Sequence, residues 1–117
     1  MGIFGDVISI AATTAGVAGD IKVTQGARLI GLNLSATGTA GVVVTKINIA
    51  WPGLQQPVSF VPNMLVVPTT NGSAVGTCKT PLIDLSKLPP VTGQNTVTIT
   101  ITTTGNQTIE AGLMWIA

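Results

Sequence analysis

The sequence predicts an all-β protein: a single antiparallel β-sandwich of about eight strands, preceded by an apolar N-terminal arm or short helix. Three observations carry that expectation. Apolar and polar residues alternate strictly over several stretches, of which Val42–Trp51 and Thr96–Thr104 are the clearest. Turn signals built on Gly, Pro and Asn recur every ~8–12 residues, the spacing of a sandwich or barrel. The composition is 45% hydrophobic and only 8% charged, with Thr, Val and Ile, the residues that favour strands, abundant throughout. At 117 residues the chain is one domain, long enough for a core of its own.

Residues 1–19 read differently from the remainder. Ile3, Phe4, Val7, Ile8, Ala11, Ala12 and Ala15 recur three and four apart, which fits an amphipathic helix from Ile3 to Ala15. Gly5, Gly16 and the β-branched Val7, Ile8, Ile10, Thr13 and Thr14 are weak helix formers and fit an extended arm instead. In either form the segment is apolar and terminal. It packs on its own core, or ties the chain to a neighbouring subunit or a lipid surface. The chain thus divides into an arm, 1–19, and a sandwich, 20–117.

From Asp20 onward the pattern is strand and turn. Ile21–Thr24 is a short strand and Gln25-Gly26 a turn. Ala27–Ala36 follows, with Ile30, Leu32 and Leu34 on one face, then a loop at Thr37–Gly41. Val42–Trp51 places Val43, Thr45, Ile47, Ile49 and Trp51 on one face and Val42, Val44, Lys46, Asn48 and Ala50 on the other. Pro52-Gly53 ends it. Pro57–Val61, Met64–Val67 and Ser73–Lys79 are short strands, separated by Pro62-Asn63 and by a loop ending in Asn71-Gly72. Leu82–Leu88 fits a strand or a short helix opened by Pro81, and Pro89-Pro90 stops it. Thr96–Thr104 points Val97, Ile99 and Ile101 one way and a row of Thr the other. Gly105-Asn106 reads as a hairpin turn, and Gln107–Ile116 returns with Ile109, Ala111, Leu113 and Trp115 on one face.

The same sequence is poor in reactive groups. It has no His, no Tyr, one Cys and four carboxylates. Without His no Ser–His or Cys–His pair can form, so no catalytic residue is expected. Asp6, Asp20, Asp84 and Glu110 are scattered, which supports neither a Ca²⁺ cluster nor a glycosidase pair. No metal or cofactor is expected. Cys78 is alone and reads as a small buried hydrophobe. The net charge of +1 comes from dispersed residues with no basic stripe, so direct nucleic-acid contact is not expected. Gly38, Gly41 and Gly72 lie between strands and read as turn glycines, not a phosphate loop. The start of the chain lacks a basic region before its apolar run, which argues against a signal peptide. Asn33, Asn71 and Asn106 head N-x-[ST] triplets, the pattern of a glycan acceptor.

A near-neutral surface of this kind risks self-association in a free monomer. The outer row of Thr96–Thr102 carries no charge, although edges are commonly protected by Lys or Glu. Surface built this way suits contact with other protein, or is a neutral extracellular surface kept wet by Thr, Ser, Asn and Gln. The candidate intersubunit residues are Ile3, Phe4, Val7 and Ile8 of the arm and Thr98, Thr100 and Thr102 of the Thr row.

The strand count, the uncharged N-terminal segment Met1–Gly19, the Thr/Val/Ile strands and the C-terminal pair Thr96–Ala117 together resemble the small single jelly-roll capsid proteins of icosahedral viruses. The likeness runs the length of the chain without a diagnostic motif. It implies a jelly-roll-like sandwich and a non-enzymatic, self-assembling virion protein: a capsid subunit, or a minor capsid or spike-base component. Its partners would be copies of itself and other capsid proteins, with the apolar arm against an internal membrane. The chain lacks the basic arm with which many such proteins hold a genome. Two other readings fit the pattern: a β-rich filament subunit, and an extracellular or cell-surface binding module. Trp51 and Trp115 continue the more apolar faces of their strands and read as core residues; the module would need one of them exposed to bind carbohydrate, or would bind through the loops Thr37–Gly41, Pro52–Gln56 and Pro68–Ser73.

Overall fold

The computed structural model describes residues 2–36, 42–66 and 82–117. Nine strands run through them: β1 Ile3–Ala12, β2 Val17–Lys22, β3 Arg28–Ala36, β4 Val42–Ala50, β5 Val58–Phe60, β6 Met64–Val66, β7 Leu82–Asp84, β8 Thr96–Thr103 and β9 Gln107–Ile116. They form two antiparallel sheets packed as a sandwich. One has the order β1-β9-β3-β7 and the other β2-β8-β4-β5, with β6 also paired to β4. The short β5 and β6 share the fourth position of the second sheet, one beside Ile47–Ile49 and the other beside Val42–Val44. The expected strand at Ser73–Lys79, the loops at Thr37–Gly41 and Pro68–Ser73, and Cys78 lie outside the described residues.

The pairing is nested. The first strand pairs with the last, β2 with β8, β3 with β7 and β4 with β6. The chain is therefore one long antiparallel ribbon folded at its middle. Two further pairings, β3 with β9 and β4 with β8, roll that ribbon into two layers.

Alternation explains the core. Val97, Ile99 and Ile101 of β8 face Ile109, Ala111 and Leu113 of β9 from opposite sheets, and all six are fully buried. Ile10, Ile21, Leu32, Leu34, Ile47 and Ile49 fill the same layer. At ~25 cal/mol per Å² of apolar surface removed from water, this layer is the dominant stabilising element.

Four local expectations need correction. Thr96–Thr104 and Gln107–Ile116 are strands, but they are not a hairpin. β8 and β9 belong to different sheets and meet through side chains across the core. A hairpin would leave both apolar faces on one side of one sheet, whereas the arch brings them face to face. Within the connection, the Thr103 hydroxyl donates to the carbonyl of Gly105 at 2.5 Å.

The N-terminal segment is neither a helix nor a free arm. Ile3–Ala12 pairs with β9 residue by residue, from Ile3 opposite Ile116 to Ala12 opposite Gln107. Ile10 and Ala12 are core residues. The boundary drawn after Gly19 falls inside β2. The β-branched residues prevailed over the helical spacing.

Bulges account for the third correction. A register shift between Leu29 and Gly31 sends Leu29 inward and leaves Ile30 half-buried. A second, between Val44 and Lys46, changes the buried set of β4 from Val42 and Val44 to Ile47 and Ile49. Each bulge adds one residue to one strand and reverses the faces beyond it. Finally, Leu82–Leu88 is a three-residue strand followed by a turn in which the Leu88 N–H donates to the Leu85 carbonyl at 3.1 Å, not a helix.

Candidate functional site

The candidate contact residues fall into two groups on opposite layers. Ile3, Phe4, Val7 and Ile8 lie on β1, at one edge of the first sheet. Thr98, Thr100 and Thr102 lie on β8, in the interior of the second. No single patch contains both.

The Thr row differs from its expected setting. β8 is flanked by β2 and β4, so its backbone is paired on both sides and its hydroxyls are what it presents. Its neighbours bring charge to that face: Lys22 stands opposite Thr96, Asp20 opposite Thr98 and Lys46 opposite Thr102. The Thr98 hydroxyl donates to Asp20 Oδ1 at 2.7 Å. The face is polar and half-buried, with its hydrogen-bonding capacity partly spent inside the sheet.

The β1 group is different in kind. Among the described residues, the exposed large apolar side chains are Ile3 at 75%, Val7 at 59%, Phe4 at 47% and Val61 at 68%. Three of these four lie within five positions of one strand. Phe4 covers Trp115 in a stacked arrangement, ring centroids 6.2 Å apart. Ile8 turns inward and packs on the core.

The backbone of β1 is as informative as its side chains. Gly2 and Ala117 exchange both main-chain hydrogen bonds, at 2.8 and 3.1 Å. Such mutual pairs alternate along an antiparallel ladder. In the register of β1 with β9, even-numbered residues therefore direct their N–H and C=O groups at β9. Ile3, Gly5, Val7, Ser9 and Ala11 direct theirs away from it. Among the described residues no strand lies beside that far edge. One of its donors is occupied from within the strand: the Val7 N–H donates to Asp6 Oδ1 at 2.8 Å.

The outer face beside β1 holds a shallow, open depression of about 360 Å³ over Gly112, walled by Val7, Asn33 and Met114. Next to it Glu110 stands between Ser9 of β1 and Ser35 of β3. One carboxylate among hydroxyls and an amide offers hydrogen bonds but no acid–base couple. Among the described residues no three His, Cys, Asp or Glu side chains converge as metal ligands.

Comparison with protein-family models, with curated proteins and with solved structures finds no match. The remaining placements come from the geometry alone. Trp51 and Trp115, the aromatic platform a sugar-binding module would need, are buried at 4% and 6% exposure. The Trp115 indole N–H donates to the Thr24 hydroxyl at 3.3 Å. Asn33 is half-buried in β3 and Asn106 is exposed in the β8–β9 connection, while Asn71 lies outside the described residues. Asp84 is exposed, and its carboxylate accepts from the Ser86 side chain and from the Ser86 N–H at 2.9 Å. With Lys87 nearby, these bonds hold its pKa below the ordinary 3.8.

The sequence marks the apolar residues of β1 but neither the free edge nor the bond from the Val7 N–H to the Asp6 carboxylate. The available signal was the period-two run Ile8, Ile10, Ala12, which marks a strand with one buried face.

Proposed function

We propose that this chain is a non-enzymatic structural subunit that self-assembles, serving in a virion as a capsid or capsid-associated protein. One observation carries the reading: β1 is a ten-residue edge strand whose only charge is Asp6, and it exposes Ile3, Phe4 and Val7. A soluble monomer ordinarily shortens, bends or charges such an edge, because its unpaired backbone is a template for another chain. Interfaces that stay assembled bury apolar and neutral polar surface and tolerate an uncharged edge. The nested strand order supports assigning the sandwich to the jelly rolls, an architecture found in viral capsid and lectin domains. The two buried Trp side chains favour assembly over sugar binding.

Negative-stain microscopy and light scattering on the full chain test the proposal. Defined particles, with masses at multiples of 11.8 kDa, are expected. A mass that stays at 11.8 kDa up to millimolar concentration would overturn it.

A further inference from the structure

Resting on that reading, we propose that two copies of this chain join edge to edge. β1 of one pairs antiparallel with β1 of the other across a twofold axis at Gly5, and Asp6 guards the edge and sets the affinity. The occupant follows from the alternatives. Among the described residues the other sheet edges are β7, β5 and β6, of three residues each, and β2, of six residues with Asp20 and Lys22 on it. Among the described residues only β1 offers a long run of outward N–H and C=O groups with a single charge, and the strand that best matches it in length is β1 of another copy. Pairing of like with like is isologous and closes on itself.

Register selects the axis. Ile3, Gly5, Val7 and Ser9 carry the outward backbone groups, so they must face one another in mutually bonded pairs. An axis at Asp6 would set the two carboxylates directly opposite each other. An axis at Val7 would draw in Ala11, near where the chain leaves the sheet and the Thr13 carbonyl already accepts from the Thr103 N–H at 3.1 Å. An axis at Gly5 uses the exposed half of the strand. It places Ile3 opposite Val7 of the second copy, twice, and Gly5 opposite Gly5. The two most exposed apolar side chains of β1 then cover each other on one face of a continuous eight-stranded sheet, four strands from each copy.

This register needs the Val7 N–H, which Asp6 Oδ1 holds in the single chain. It also brings the two Asp6 side chains to diagonal positions, where like charges oppose pairing. Asp6 therefore restrains an edge that is otherwise complementary to itself.

The test uses the full chain. Val7→Pro deletes an outward N–H and no bond to β9, a position where an edge strand accepts Pro. It is expected to weaken association at least about tenfold, because two intermolecular hydrogen bonds are lost per pair. Asp6→Asn is expected to tighten association about threefold through loss of the like-charge diagonal. Amide exchange gives an independent readout, should the Pro variant fail to fold. The amides of Ile3 and Gly5 should gain protection as concentration rises, while those of Phe4, Ile8 and Ile10 stay protected throughout. A chain that associates with unprotected Ile3 and Gly5 amides, or a folded Val7→Pro variant that associates like the parent, would overturn the edge pairing and leave self-assembly by another surface standing. A parent that stays monomeric up to millimolar concentration would overturn both.

Discussion

Gly19→Ala probes whether residues 3–12 belong to the sandwich. Gly19 lies on β2 where that strand crosses under β1. A Cβ added there would come within 2.7 Å of Ile8 Cδ1 and 3.1 Å of Ile10 Cγ1. The first distance is shorter than real Cβ contacts, so Ile8 must move, and the second is tight enough that Ile10 must give by a few tenths of an ångström. Ile8 is half-buried and has room to swing outward, whereas Ile10 is 2% exposed and has almost none. Overpacking of this kind costs roughly 1–3 kcal/mol. For a domain of this size each kcal/mol moves Tm by about 4 °C, so the variant should melt about 4–12 °C lower. Ile8→Val removes the Cδ1 atom that makes the closest approach. The double variant Gly19→Ala/Ile8→Val should therefore be more stable than the sum of the two single changes, by about 1 kcal/mol in a double-mutant cycle. Calorimetry on the four proteins checks this. An unchanged Tm in Gly19→Ala would mean that β1 does not pack over β2, and strict additivity would mean that Ile8 is not the obstructing side chain.

Other consequences follow from the same structure. Leu113→Ala, in the buried face of β9, should lower stability by about 2–5 kcal/mol in chemical denaturation. Gly112→Ala places its methyl 3.6 Å from Val7 Cγ2, an ordinary contact, so Tm should hold or rise slightly; a fall beyond about 5 °C would contradict the open outer face at this position. Asp84 has its folded pKa depressed, so its stabilising effect is present above its unfolded value of 3.8 and is lost as pH falls through the lower folded value. Asp84→Ala should therefore melt below the parent at neutral pH, with the gap closing in acid; a gap that persists unchanged in acid would contradict the Ser86 bonds as its cause.

The fold class was legible because its signal is local. Strict alternation in Thr96–Thr104 and Gln107–Ile116 marks half-buried strands whatever their partners. Partner choice was not legible, since the same alternation serves a hairpin or an arch between sheets. Gly105-Asn106 permits either, and burial of both apolar faces decided for the arch. Bulges were hidden for a related reason. Nothing in Leu29-Ile30-Gly31 or Val44-Thr45-Lys46 announces an extra residue, which appears only once the strand must align with β9 or β8. The candidate contact residues were half legible. Exposed Ile3 and Val7 stand out by composition, but the free edge beneath them depends on the pairing of the first strand with the last.

Sedimentation of the full chain and of Ile3→Ser/Val7→Ser across a concentration series tests the central claim most directly. Burying a Val or Ile side chain contributes about 1.5–3 kcal/mol at full transfer. Four largely exposed copies per pair should therefore shift the dissociation constant by at least about a hundredfold. The account predicts a parent that associates at concentrations where the double variant sediments as an 11.8 kDa monomer. A parent that is itself a monomer throughout, or a variant that associates as strongly as the parent, would contradict it.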